Sequence, residues 1–189
     1  MVLRQSIESL RNDVVYAQRS AMLLKRDSGD PYIRGILVDL RGLRNPVDPD
    51  GRPTYSMNKW CSSGYSYVEF SPDNIPATIP KQDCNASTLG LMGKQDVFLA
   101  GGTVDVCITR ADQSATNVAA IVFESVNGQI HFYRVQGSGS GSRFILLPAV
   151  EDVRVAVYRG NRWNALIIHK DGQIEYERWN PDDPDPCNK

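Results

Sequence analysis

Two histidines, four cysteines, two acidic clusters and one basic hairpin are the places in this 189-residue chain where side-chain types could do chemistry. His131 sits between Ile130 and Phe132 in a strand pattern, and His169 ends another such pattern. A lone histidine on a strand is more often a structural polar residue than a catalyst. No nucleophile elbow, phosphate loop or dinucleotide fingerprint occurs, and Ala100-Gly101-Gly102-Thr103 leads into a strand pattern, not a phosphate-holding helix. The expectation is therefore a protein that is not an enzyme, with no catalytic residue and no cofactor.

Asp48-Pro49-Asp50-Gly51 resembles the start of a calcium loop, making Asp48 and Asp50 weak calcium candidates. The bidentate glutamate that closes such a loop is missing, so the segment is read as a turn. Asp182-Asp183-Pro184-Asp185 is read as a solvated tail. Arg154, Arg159 and Arg162, with Tyr158 and Trp163, could stack on and pair with single-stranded DNA. Packing and cation–π contacts are the competing reading, and a net charge of −1 with an acidic tail argues against DNA as a partner.

The cysteines, Cys61, Cys84, Cys107 and Cys187, have no C-x-x-C spacing and no neighbouring histidine, which gives an ordinary zinc framework weak support. Their even number and the placement of three of them in loops or tail fit an oxidising, extracytoplasmic compartment better than four reduced thiols. Four cysteines allow three pairings, and spacing does not choose among them.

The elements that must position these groups fall into two regimes. Leu3, Ile7, Leu10, Val14, Ala17, Ala21 and Leu24 recur at spacings of four and three, an apolar stripe that predicts one long amphipathic helix over 1–28. Ser28-Gly29-Asp30-Pro31 supplies its stop. Strand patterns follow at 32–40, 65–70, 103–109, 118–124, 129–135, 144–147, 153–158, 165–169 and 173–178. Asn127-Gly128, Gly160-Asn161 and Asp171-Gly172 supply turns. The expected organisation is one domain: helix 1–28, a sheet domain 29–179 with long loops at 41–64 and 71–102, and an acidic, Pro-rich tail 180–189. The Gly/Ser run at 136–142 is composed like an engineered linker, but is read as a natural hairpin tip because the strand pattern continues through it. The fold class expected is α+β, the helix packed on antiparallel sheet. The longest apolar run, Val118–Phe123, is far too short for a bilayer span.

The helix reads Ile7-Glu8-Ser9-Leu10-Arg11-Asn12-Asp13-Val14-Val15-Tyr16-Ala17-Gln18-Arg19-Ser20-Ala21-Met22, and the hairpin at 165–174 reads Ala-Leu-Ile-Ile-His-Lys-Asp-Gly-Gln-Ile. These segments resemble type IV pilin-like proteins, in particular minor pilins and pseudopilins of the GspH/FimT kind. The resemblance implies a pilin-like fold and a non-enzymatic subunit of a type IV pilus or a type II secretion filament. The stem would pack in the filament core, and the sheet would face outward to meet other subunits or partners. It also implies a methylated transmembrane stem held in the inner membrane before assembly, and a place at the cell surface or in the periplasm. Members open with a basic leader, a cleavage glycine and about twenty apolar residues; the expectation is a chain that begins after that segment.

On this reading Leu3, Ile7, Leu10 and Val14 divide between sheet core and filament, and Val15, Tyr16 and Met22 lie off the main stripe as subunit contacts. Of the cysteine pairings, Cys61–Cys84, closing the middle loop, and Cys107–Cys187, tying the tail to the outer sheet face, are preferred. The alternative from a different class is a freestanding β-rich extracellular binding module, an adhesin or receptor-binding domain.

Overall fold

The computed structural model describes residues 2–23, 33–46, 49–61, 74–76, 94–98, 104–124, 128–138 and 142–187. Helix α1 (Val2–Leu23) opens the chain, and a single short turn, α2 (Arg41–Arg44), follows strand β1 (Ile33–Asp39). The remaining strands are β2 (Thr54–Cys61), β3 (Asn74–Pro76), β4 (Lys94–Phe98), β5 (Asp105–Thr109), β6 (Ala120–Glu124) and β7 (Ile130–Gln136). The last four are β8 (Arg143–Leu146), β9 (Asp152–Arg159), β10 (Arg162–His169) and β11 (Ile174–Arg178).

These strands correct the expected α+β class with its pilin-like packing: the chain is mostly β, built from two antiparallel sheets and one long helix. The larger sheet has seven strands in the order β3-β8-β7-β6-β1-β2-β4, and the smaller has four, β11-β10-β9-β5. The reason is in the pairing. Strands β6, β7 and β8 form one run of hairpins and β9, β10 and β11 another, but β1 crosses into the first group and β5 joins the second. Segments read from sequence as loop also extend the larger sheet. Strand β2 pairs Met57 with Val38 of β1, and β3 and β4 fall within the expected loop 71–102. The strand expected at 65–70 lies outside the described residues.

The principal core is shared by the two inner sheet faces and α1. Ile36, Val38, Ile121, Phe123 and Phe132 come from the larger sheet, Val155, Val157, Leu166 and Ile168 from the smaller, and Ile7, Leu10, Val14, Ala17 and Ala21 from the helix. Each of those five helical side chains is 0% exposed. A stripe that complete contributes on the order of 1.5–3 kcal/mol for each large side chain removed from water. The outer face of each sheet carries a small apolar cluster of its own, around Leu37, Tyr133 and Phe144 on the larger and around Tyr158 and Trp163 on the smaller. Two-sided burial explains why β9 and β10 read as near-continuous apolar runs.

Among the described residues no helix is long and apolar enough to cross a membrane.

Candidate functional site

Three surfaces bring functional groups together: the outer side of α1, the strap formed by the C-terminal segment, and a cleft beside α2.

Helix α1 is held at two points besides its apolar stripe. The hydroxyl of Tyr55 on β2 donates to Asp13 Oδ2 at 2.7 Å, and Gln18 Nε2 donates to the carbonyl of Gly172 in the β10–β11 turn at 3.1 Å. Burial, reinforced by the Asp13 bond, pushes the Tyr55 hydroxyl well above its ordinary value. The helix is thereby tied to both sheets. Its outward side carries Arg4, paired to Glu8 at 2.7 Å, with Arg11 and Arg19 exposed. Tyr16 (48% exposed), Met22 (49%) and Leu23 (79%) are the exposed large hydrophobics of the described residues, and all three belong to α1. Tyr16 and Leu23, seven residues apart, share one ridge. Met22 lies against Gly128, whose φ of +68° makes the β6–β7 turn; a side chain there would press on the Met22 sulfur.

This placement divides the residues expected at a subunit interface. Ile7, Leu10 and Val14 are wholly buried, a correction to the reading that shared them with a filament: the two sheets leave nothing of them for a neighbour. Leu3 is half-buried against the core and Val15 is half-buried, while Tyr16 and Met22 face outward. Leu23 was not among the expected contacts. It continues the Tyr16 ridge at the helix end, a relation that the i, i+7 spacing contains.

The strap is residues 179–187. Cys107 on β5 and Cys187 form a disulfide with Cα atoms 6.4 Å apart, the Tyr158 hydroxyl donates to Asp185 at 2.6 Å, and the Trp179 amide donates to Asn164 Oδ1 at 3.1 Å. These bonds lay the segment over the outer face of the smaller sheet, where Trp163 is 5% exposed. Burial and then Asp185 raise the Tyr158 hydroxyl as well. The other expected pair, Cys61–Cys84, involves Cys84, which lies outside the described residues.

The three arginines of the basic hairpin, weighed above as a possible but disfavoured DNA contact, have different surroundings. Arg154 is buried and paired with Glu177, its Nε 2.9 Å from Oε2 and its Nη2 2.9 Å from Oε1, because it points into the strap side of the sheet. Arg159 and Arg162 are exposed at the β9–β10 turn, and the Arg162 guanidinium lies 5.2 Å from the centre of the Trp179 ring. Asp50 is paired with Arg52 at 3.4 Å, both exposed, and Asp48 lies outside the described residues. No group of three or more His, Cys, Asp or Glu able to hold a metal occurs among the described residues. His131 meets Glu124 at 3.1 Å and His169 meets Glu175 at 3.5 Å, both histidines half-buried.

The cleft was not foreseen from sequence. It is a cavity of about 560 Å³ where β1 ends and α2 turns, walled by β2 and the segment entering β6. Gly42 lets α2 lie flush on β2, since a Cβ there would collide with the Thr54 carbonyl and hydroxyl. Arg41 is locked: its backbone N–H and Nε bond Asp39 Oδ1 at 3.0 Å, its Nη2 bonds Oδ2 at 2.6 Å, and its guanidinium lies 5.1 Å above Phe144. Arg44 donates to the Thr116 carbonyl at 3.0 Å and lines the cavity beside Asn45 and Asn117.

No protein-family model, curated protein or solved structure matches this chain.

Proposed function

We propose that the protein is a non-enzymatic subunit of an extracytoplasmic filament of the type IV pilus or type II secretion kind, a minor pilin or pseudopilin. The observation that carries this reading is the distribution of apolar surface on α1. One stripe is consumed by the β core, and the exposed large hydrophobics of the described residues, Tyr16, Met22 and Leu23, stand on the remaining side. A helix of about 33 Å that anchors its domain through one face and offers aromatic and aliphatic side chains on another suits helix-to-helix packing between subunits. The Cys107–Cys187 disulfide suits an oxidising compartment, as a filament outside the cytoplasm requires. The partners are other subunits of the filament and, before assembly, the inner membrane.

The test is made in the native host with the whole gene. Tyr16→Arg combined with Leu23→Arg leaves the melting temperature of the purified domain unchanged and abolishes or shortens filaments seen by electron microscopy. Filaments of normal number and length in the double variant would overturn the proposal.

A further inference from the structure

We propose that the cleft beside α2 binds a small organic carboxylate, with Arg44 as its ionic partner and the side-chain amides of Asn45 and Asn117 as hydrogen-bonding groups for the rest of the molecule. The volume, about 560 Å³, falls in the range that holds a monosaccharide or dipeptide-sized ligand. Charge decides the class. Asp39 is the carboxylate lining the cleft, and the Arg41 fork neutralises it through bonds of 2.6 and 3.0 Å. Arg44 has no carboxylate partner among the described residues; its one hydrogen bond goes to a neutral carbonyl, that of Thr116. Desolvation pushes its guanidinium below the ordinary value. Arg44 is exposed at the cleft mouth and its guanidinium remains charged, so it is available to pair with a ligand's carboxylate.

The ligand carries one negative charge, not two. With Arg41 already paired to Asp39, a phosphate dianion would find one cation for two charges, whereas a planar carboxylate matches the guanidinium fork and needs one cation. Asn45 and Asn117 make no side-chain hydrogen bond among the described residues and line the same wall, each offering a donor pair and an acceptor. Ala119 and Val135, both part-exposed, supply apolar wall on which a sugar ring or a short side chain rests. The cleft comes preformed: Gly42 fixes α2 against β2, and Arg41 is clamped between Asp39 and Phe144, so little ordering cost falls on binding. This inference is independent of the filament reading, since the cleft and the exposed ridge of α1 involve different residues.

The experiment is amide chemical-shift titration of the whole chain with two carboxylate probes, glucuronate and N-acetylalanine, and their neutral counterparts, glucose and N-acetylalaninamide. Shifts are expected at residues 40–45 and 117–119 with at least one carboxylate at millimolar concentration, and none with its neutral counterpart. The acid that binds distinguishes an acidic saccharide from a peptide terminus. Arg44→Gln weakens that binding by about tenfold or more, the factor that corresponds to about 1.4 kcal/mol. Arg44→Lys keeps part of it because the charge survives while the fork is lost. A spectrum of Arg44→Gln that otherwise overlays the parent separates lost binding from lost fold. Absence of shifts with both acids, equal shifts with acid and neutral partner, or undiminished binding by folded Arg44→Gln would each overturn the proposal.

Discussion

Helix α1 and the C-terminal strap both lie against the β core, yet they are held by opposite means. The helix is held by area: five side chains at 0% exposure, spread over four turns and shared between two sheets. The strap is held by points: a disulfide, the Tyr158–Asp185 hydrogen bond, and Trp179 over its sheet. Each is also tied by a buried tyrosine donating to an aspartate, at 2.7 Å for the helix and 2.6 Å for the strap. The contrast teaches which end can open alone. An area-anchored helix shares its fate with the whole core, whereas a point-anchored strap can leave while the sheets persist.

The largest expected effect tests the first half of that contrast. Leu10→Ala removes a fully buried side chain from the centre of the stripe and leaves a cavity that two sheets cannot collapse, costing about 2–5 kcal/mol. Chemical denaturation followed by far-ultraviolet circular dichroism should show one cooperative transition, shifted to lower denaturant. A variant in which helix signal melts ahead of sheet signal would show the helix to be a separable unit, and the contrast would fail there.

Cys187→Ala tests the second half. The bridge joins residues 80 apart in sequence, so its loss frees a long segment of the unfolded chain and costs about 2–4 kcal/mol. The local consequence is more telling than the global one. Trp163, at 5% exposure under the strap, should become quenchable by iodide in Cys187→Ala while the circular dichroism spectrum is unchanged. If Trp163 stays protected, Tyr158, Trp179 and the buried Pro186 hold the strap by area after all.

How much of this could be read from residues follows the same division. The helix was legible because Ile7, Leu10, Val14, Ala17 and Ala21 repeat at helical spacing over many turns. Turns were legible at Asn127-Gly128 and Asp171-Gly172, where glycine takes positive φ. The assignment of strands to sheets was not, because Ala156, Val157 and Tyr158 are buried on both faces and alternation gives no direction. Strand β2 was hidden because only Tyr55 and Met57 mark its inner face between Thr54, Ser56 and Asn58. Arg154 looked like a free cation since its partner Glu177 lies two strands away. The cleft was invisible for a like reason: Asp39, Arg44 and Asn117 meet only through the crossover that sets β1 between β2 and β6.

The smallest expected effect compares the two tyrosine ties by pH. Burial raises both hydroxyls above the ordinary tyrosine value, so in each the folded state retains its proton where the unfolded state loses it. The unfolded chain then binds fewer protons than the native one, and stability falls as pH rises; the contribution is whole below about pH 10 and declines above it by up to about 1.4 kcal/mol per pH unit for each tyrosine. Tyr55→Phe and Tyr158→Phe should each flatten part of that alkaline slope while losing about 1–2 kcal/mol at neutral pH with the hydrogen bond. Tyr55 joins α1 to β2 inside the main core, so its ionisation requires global unfolding. Tyr158 can be wetted by lifting the strap alone, so Trp163 fluorescence should change at lower pH than circular dichroism in the parent, and the two should coincide in Tyr158→Phe. Coincident transitions in the parent would mean that the strap, despite its few anchors, opens only with the core.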